Sequence, residues 1–313
     1  MRGLPQKQNA RRADKIRLCG HLGRYKKIVK KTYIIYKEIF CHTCDTSIDI
    51  FLCGGAKTKS KVNRDAIRRN LEKYGFLFNI FYPEDLFIEL LNKKEYDLLS
   101  LEKYLAENSD YIVIVCESMG SAAELGAFVN NVETFSKVIV LQDLKFKNIK
   151  SFISEGPIKY LKKKYKNHVL YYKNNSRKIA SQLKNILKKE YSEKKKYFKD
   201  IDCISGQCNY ILFLLYLFDS IERTTLGSYI ENVNKIKDSD LNRLYQSSLN
   251  RLFNTGLIQT NNENRKRLEL TKKGIDKVEY MIENNLLISY RKEILNDIRI
   301  KIMYNMYYKT LSF

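Results

Sequence analysis

Short apolar runs alternate with amphipathic segments through the first half of the chain. Helical patterns at residues 62–74, 84–91, 99–107 and 122–132 separate the runs. Apolar strands divided by helices are typical of a parallel sheet with both faces covered. We predict an α/β fold, with a parallel five-stranded flavodoxin-like sheet and helices on both faces, whose ligands bind at the carboxyl ends of the strands. The predicted strands are Ile48–Cys53, Leu77–Phe81, Tyr111–Cys116, Lys137–Leu141 and His168–Tyr171.

The pattern changes after residue 202. Helical periodicity at 210–221, 225–232 and 239–254 is followed by two short β-runs at 256–258 and 268–270, and then by another helix. Three helices, a two-stranded wing and a closing helix predict a C-terminal winged helix-turn-helix domain. The predicted domains are a basic N-terminal arm (1–45), an α/β domain (46–175), a basic linker helix (176–205) and the winged helix (206–313).

Charge is distributed unevenly along the 313 residues. The net charge is +22, of which residues 1–40 contribute +10 and residues 143–200 contribute +13, so the remainder is nearly neutral. Solvated lysine-rich helix faces are one explanation, but a polyanionic partner, nucleic acid above all, explains the segregation better. The residues expected to contact nucleic acid are Arg11, Arg12, Lys26, Lys27, Lys162, Lys163, Lys164 and Arg243.

In the predicted winged helix, Arg243 and Arg251 would face DNA together with Asn242, Gln246 and Asn250. However, residues 201–313 carry a net charge of only +3. Docking to a protein, or guiding a branched RNA–DNA molecule, is therefore at least as well supported for this domain as binding to an operator.

The apolar runs and the cysteines of the sequence lead to expectations about localisation and metal binding. The apolar run near residues 210–218 is too short to span a bilayer, and no secretory signal accompanies the seven cysteines, so we expect a soluble, cytoplasmic chain. Cys41, His42 and Cys44 could join Cys19 and His21 around zinc, but their spacing is loose. No metal site is predicted.

The segment Cys116–Phe128 (CESMGSAAELGAF) carries the most specific chemistry. A strand, a Gly/Ser turn and a helix start place Glu124 where backbone N–H groups and the helix dipole favour an anion and a neighbouring phosphate. Such a carboxylate can attack a sugar C1′ or stabilise an oxocarbenium-like transition state. Gly120 would let the turn approach a phosphate, and Ser121 would leave room for it. The alternative is an ordinary acid at a helix cap.

This segment resembles the nucleophile segment of the nucleoside 2-deoxyribosyltransferase superfamily. The resemblance covers residues 46–145 and implies that Glu124 attacks C1′ and that Gly54 and Gly55 line the sugar and phosphate. It further implies that Glu102 supplies a second carboxylate and that Asp110 is the acidic residue before the third strand. Tyr82 would help to wall the pocket, with packing at the strand end as the alternative.

One position departs from the transferases. They carry an acid two residues before the turn glycine, where this chain has Ser118. A serine there resembles the nucleotide N-glycosidase branch, where it helps to hold a 5′-phosphate. Hydrolysis of a phosphorylated nucleotide is therefore expected, with Glu102, or less favourably Glu117, as the leaving-group acid. A solvated turn residue is the favoured interpretation of Glu117.

Several segments together resemble the retron-associated effectors with a deoxyribosyltransferase-like domain: the basic arm, FLCGG, FYPEDLF, ELGAF, KFKNIKSFISEGP and the winged helix. The resemblance implies a toxin of an anti-phage defence unit that depletes a nucleotide, with NAD the favoured substrate and no cofactor. The implied partners are a reverse transcriptase and its branched RNA–DNA product (msDNA), in a filamentous assembly without membrane. The alternatives are a nucleotide-sensing DNA-binding regulator without catalysis and an inactive scaffold.

Overall fold

The computed structural model describes residues 32–42, 47–55, 62–82, 97–193, 199–233, 238–285 and 289–307. Arg11, Arg12, Lys26 and Lys27 lie outside these ranges, as do the helix predicted at 84–91, Cys19, His21 and Cys44.

Five parallel strands form the central sheet in the order β2-β1-β3-β4-β5. This order confirms the flavodoxin-like prediction. Successive side chains of each strand point to opposite faces, so Phe51 and Ile50 contribute to different apolar clusters. The strands are β1 Ile48–Cys53, β2 Phe78–Phe81, β3 Tyr111–Cys116, β4 Val138–Asp143 and β5 Val169–Tyr172.

Helices cover both faces of this sheet. One apolar cluster joins a sheet face to α1 and α6, and the other joins the opposite face to α2, α3, α5 and the C-terminal helices. The helices up to residue 193 are α1 Arg64–Leu71, α2 Leu98–Glu107, α3 Met119–Asn130, α4 Val132–Phe135, α5 Lys159–Lys164 and α6 Ser176–Glu193.

The segment predicted as a basic linker helix is not a free linker. The apolar stripe Ile179, Ala180, Leu183 and Leu187 of α6 is buried against the sheet, and its lysines occupy the outer side. The helix has the 3.6-residue period of a sheet-covering helix, which its high lysine content obscured in the sequence.

The C-terminal region has the element order predicted for a winged helix. Two helices and a short strand precede helix α9, after which an antiparallel hairpin completes a three-stranded sheet in the order β6-β8-β7. The elements are α7 Ile204–Phe218, β6 Ser220–Glu222, α8 Arg223–Glu231, α9 Asp238–Asn254, β7 Ile258–Thr260, β8 Arg267–Leu270 and α10 Lys272–Asn285. A further helix, α11 Ser289–Tyr307, was not predicted.

Residues 32–42 are helical and belong to the folded core rather than to a separate arm. Ile35, Ile39 and Phe40 are buried, and the hydroxyl of the buried Tyr210 on α7 donates a hydrogen bond to Thr32 O (2.9 Å). The expected N-terminal arm is therefore wrong for this stretch, because its apolar side packs on the nearly all-apolar helix α7.

A buried polar network fixes α7 to the amino end of the sheet. The Lys199 ammonium lies 2.7 Å from Asp49 Oδ2 and 3.0 Å from Asp110 Oδ2. Asp49 Oδ1 also accepts hydrogen bonds from Asn79 Nδ2 and Ser205 Oγ, both at 2.8 Å. Buried charges are stable in such a place only when they are paired and hydrogen-bonded, as these are.

Among the described residues, no helix is long and apolar enough to cross a membrane.

Candidate nucleotide site

The candidate site lies where β1 and β3 run side by side at the centre of the sheet. The chain winds outward from these two strands in opposite directions, which opens a crevice at their carboxyl ends. Gly54 follows β1 at this edge, and Glu117 follows β3. The carboxyl end of β2, where Phe81 is followed by Tyr82, flanks them.

Two serines build the turn between β3 and α3. Ser118 caps the helix by accepting a hydrogen bond from Ser121 N (3.2 Å), and Ser121 Oγ accepts from the N–H groups of Glu117 (3.1 Å) and Ser118 (3.0 Å). This reciprocal arrangement satisfies backbone donors that a helix start leaves open. Both hydroxyls therefore hold the turn, and phosphate binding by Ser118 and Ser121 stays a prediction.

Glu124 lies in the second turn of α3, because the helix begins at Met119 rather than at the predicted residue 122. The free N–H groups and most of the dipole field belong to the first turn. The predicted stabilisation of this carboxylate by the helix start is therefore weaker than expected. The Glu124 side chain is instead half-buried, in the helix that follows β3.

Two carboxylates converge on the end of β3. Burial raises the pKa of the Cys116 thiol above its usual range, and the negative charges of Glu117 and then Glu124 raise it further. The negative charges of both carboxylates therefore act on this thiol at the end of β3. Glu117 was expected to be a solvated turn residue, but it is half-buried in this crevice.

The backbone conformation at position 54 requires glycine. Its φ of +147° is a conformation that side-chain-bearing residues rarely adopt, and a Cβ there would lie 3.2 Å from Val115 Cβ. Gly55 follows it at the same edge. Gly120 is different, because a Cβ there would meet only Ser118 Oγ, at an ordinary 3.8 Å. The space above the α3 turn is therefore open.

Two guanidinium groups lie against the ring of Tyr82. The carbon centres of Arg64 and Arg68 lie 4.4 and 4.6 Å from its ring centroid, and its hydroxyl donates to Asp65 Oδ1 (2.9 Å). Burial, followed by the bond to Asp65, raises the pKa of the Tyr82 hydroxyl. The ring is a rigid wall at the carboxyl end of β2, with cationic groups on its faces.

Arg64 is a candidate that the sequence interpretation missed. It opens α1, and its Cβ would lie 3.4 Å from a Cβ on Gly54. A guanidinium at the first turn of a helix, beside the β1 loop, suits a phosphate group. The available signal was an arginine directly after the helix cap Asn63 in the segment that follows Gly54-Gly55.

Gln142 and Tyr172 complete the edge and were also missed. Gln142 pairs with Cys116 across the β3–β4 ladder and is only 4% exposed, and its Oε1 accepts no hydrogen bond from the described residues. Such a buried acceptor calls for a further partner, which a bound ligand can supply. Tyr172 ends β5 at the same edge of the sheet, and burial, followed by the negative charge of Glu117, raises the pKa of its hydroxyl.

Glu102 and Asp110 are placed differently. Glu102 is 8% exposed in the second turn of α2, a helix that covers the same sheet face as α3. Asp110 precedes β3 and accepts hydrogen bonds from Asp49 N (2.8 Å) and Lys199 Nζ (3.0 Å). The six residues of β3 separate Asp110 from the carboxyl edge by about 20 Å. The structure does not bring Asp110 together with Glu124.

The described residues predicted to bind nucleic acid fall into two groups. Lys163 and Lys164 are exposed on α5, whereas Lys162 donates to the Tyr171 hydroxyl (2.7 Å). Arg243 stacks on Tyr104 of α2 at 4.5 Å, so a contact of Arg243 with DNA stays a prediction.

Arg251, which lies on the same face of α9, is 8% exposed and donates to Ile80 O (3.3 Å). The prediction that it faces DNA is wrong, because this face of α9 packs on the α/β domain.

Comparison with known proteins identifies the family. A family described as STM3845 retron effector protein matches residues 60–260. The Escherichia coli protein named "Retron Ec86 putative ribosyltransferase/DNA-binding protein" is 38% identical over 204 residues, which cover 61% of this chain and 66% of the relative. Its retron Ec73 counterpart, with the same description, is 36% identical over 131 residues, which cover 40% of this chain and 42% of the relative. The aligned part of the chain thus spans slightly less than two thirds of the first relative's length. The chain belongs to the family of retron effector proteins.

Proposed function

We propose that this retron effector hydrolyses the N-glycosidic bond of a nucleotide, with NAD the favoured substrate, through the carboxylate of Glu124. The observation that carries the proposal is the half-buried position of Glu124 in α3, the helix that follows β3 at the crevice between β1 and β3. The ribosyltransferase description of the two relatives supports glycosyl transfer chemistry in this family.

The reaction needs a nucleophile and a held phosphate. The Glu124 carboxylate attacks C1′, and the bond from C1′ to the base nitrogen breaks with its electron pair passing to the base. Water then attacks C1′ of the glycosyl ester, frees the sugar phosphate and regenerates the carboxylate. Arg64 and the open space above Gly120 would receive the phosphate groups, and Tyr82 would wall the sugar.

The nature of the base decides whether an acid is required. Nicotinamide leaves NAD as a neutral molecule, because the electron pair cancels the charge of the pyridinium ring. A purine or pyrimidine leaves a nucleotide as an anion unless a proton is supplied. Glu102 and Glu117 are the candidates for that acid, and an NAD hydrolase can dispense with it.

We further propose that a reverse transcriptase and its msDNA restrain this activity, within a filamentous assembly. The family assignment and the two basic segments support this proposal, since branched RNA–DNA is a dense polyanion. Exposed Lys163 and Lys164 are the described residues that we expect to contact it.

The experiment is expression in cells with and without the retron's reverse transcriptase and msDNA. The unmodified chain alone should stop growth and lower NAD, and its partners should suppress both effects. The Glu124→Gln chain should do neither. Equal toxicity of the Glu124→Gln chain would refute the catalytic proposal.

A second candidate is a nucleotide-sensing, DNA-binding regulator without catalysis. The winged-helix element order and the DNA-binding description of the relatives favour it. The burial of Arg251 against the α/β domain weakens it, because that face of α9 is not available to a DNA groove. Binding of a promoter fragment with an inverted repeat, and an unchanged effect of Glu124→Gln in cells, would support it instead.

A further inference from the structure

A second cavity lies between the α/β domain and the C-terminal helices, away from the candidate catalytic edge. Its volume is about 380 Å³, and it is lined by α1 with the turn after it, β2, α7, α9 and α10. Of the residues described at the candidate nucleotide site, only Arg68, which contacts the Tyr82 ring, also lines this cavity. Because β2 is an edge strand of the sheet, this space lies beside the sheet rather than above its carboxyl end.

The lining of this cavity is strongly cationic. Among the described residues, four basic side chains and one carboxylate line the cavity. The carboxylate is that of Glu72, whose Oε1 already accepts a hydrogen bond from Arg68 Nε at 2.8 Å. The other three cations are Arg251, Lys273 and Lys277. The cavity therefore has a positive potential that an anion would neutralise.

Two of these cations are nearly buried. Arg251 is 8% exposed and Lys277 is 3% exposed. The Arg251 guanidinium lies 3.7 Å from the Phe81 ring centroid, and the Lys277 ammonium lies 5.0 Å from that of Phe76. Electrostatic attraction for an anion is stronger in such a poorly solvated place than at the surface.

The two buried cations line the same cavity as the buried Cys208 thiol. Burial raises the pKa of Cys208 to about 12, and the positive charges of Arg251 and Lys277 act in the opposite direction. These cations come from different helices, α9 and α10. An anion in the cavity would therefore link α9, α10 and the edge of the sheet.

We propose that this cavity binds a phosphate-bearing ligand of mononucleotide size. The volume is at the lower end of the range for small-molecule sites, and guanidinium and ammonium groups are the common binders of phosphate. The aromatic side chains of Phe76 and Phe78 line the same space and offer apolar surface for a base. This site is separate from the catalytic edge and does not depend on the role of Glu124.

The test is calorimetric titration of the full-length Glu124→Gln protein with AMP, inorganic phosphate and adenosine. Lys273→Met removes an exposed cation of the cavity, Lys277→Met removes a buried one, and Lys272→Met is the matched control on α10 outside the cavity. We expect each cavity substitution to weaken AMP binding about tenfold or more, and the control to leave it unchanged. Phosphate should bind more weakly than AMP, and adenosine should not bind.

Two results would overturn the proposal. Equal affinity for AMP in the Lys273→Met, Lys272→Met and parent proteins would show that the cavity does not hold the phosphate. Loss of AMP binding in Arg64→Gln, without loss in Lys273→Met, would place the ligand at the catalytic edge. Lys273 is exposed, so its substitution remains informative even if Lys277→Met does not fold.

Discussion

Ser118 is the residue whose two roles are easiest to separate. It caps α3, and the resemblance assigns it a contact with a 5′-phosphate. The capping role explains a serine at this position by itself, but aspartate is an equally good cap. Serine and aspartate at position 118 should therefore stabilise the helix equally, but they should differ in whether a negatively charged ligand can bind beside them.

Replacing Ser118 by Asp should preserve stability and remove activity on phosphorylated substrates. The aspartate accepts the same backbone hydrogen bond, whereas its charge repels a phosphate placed above the turn. Thermal unfolding and base release from a nucleotide panel would measure the two effects. Ser118→Ala is the matched control, with a loss of about 1 kcal/mol in stability. Undiminished turnover of phosphorylated substrates by Ser118→Asp would exclude a phosphate at this position.

Gly54 should tolerate no side chain. Gly54→Ala must adopt a strained φ and approach Val115 at the point where β1 and β3 meet. We expect a loss of about 1–3 kcal/mol in the free energy of unfolding. Urea unfolding of Gly54→Ala beside Gly120→Ala, whose position in α3 has room for a methyl group, would check this. Equal stability of the two variants would show that a side chain at position 54 causes no backbone strain.

At the scale of elements, the sheet order and most strand positions could be predicted because the strands are largely apolar and divided by helical patterns. The start of α3 could not be predicted, because the Ser118–Ser121 cap lies inside a Gly/Ser segment that is typical of a turn. The packing of α6 was obscured by its lysines. Long-range contacts such as Arg251 with Ile80 leave no local pattern in the sequence.

Lys199 tests how much one long-range contact contributes to the stability of the fold. Lys199→Met would leave Asp49 buried at the amino end of β1 without its nearest cation. We expect a loss of about 3–5 kcal/mol in stability, as for other broken buried ion pairs. Lys188→Met, on the exposed side of α6, is the matched control. A change below about 0.5 kcal/mol in Lys199→Met, as at ordinary surface positions, would show that the network does not hold α7 to the sheet.

At the scale of the whole molecule, most of the charge and the candidate catalytic residues belong to different parts of the sequence. The candidate nucleotide site depends on a few residues at the centre of the sheet, whereas most of the net charge of +22 belongs to two segments. This separation fits an enzyme whose activity is governed by a polyanion bound elsewhere on its surface. Nucleic-acid binding and catalysis should therefore respond to different substitutions.

Binding of single-stranded nucleic acid should depend on salt and on α5. The slope of log affinity against log salt concentration is negative, and each neutralised phosphate contributes about 0.7–0.9 to its magnitude. Replacing Lys163 and Lys164 by Gln should therefore reduce the magnitude of this slope by about 1.5. The matched control replaces Lys103 and Lys301, which are exposed elsewhere, and keeps the same net charge. Equal slopes in both double variants would mean that α5 is not the contact surface.

The central claim is that Glu124 forms the bond to C1′. Its most direct measurement is the rate of nicotinamide release from NAD by the purified full-length chain, compared between Glu124→Gln and Glu133→Gln, an exposed carboxylate on α4. Loss of a covalent nucleophile should lower the rate by about 1,000-fold or more, and the control should leave it unchanged. A Glu124→Gln protein that releases nicotinamide as fast as the Glu133→Gln control would contradict the account.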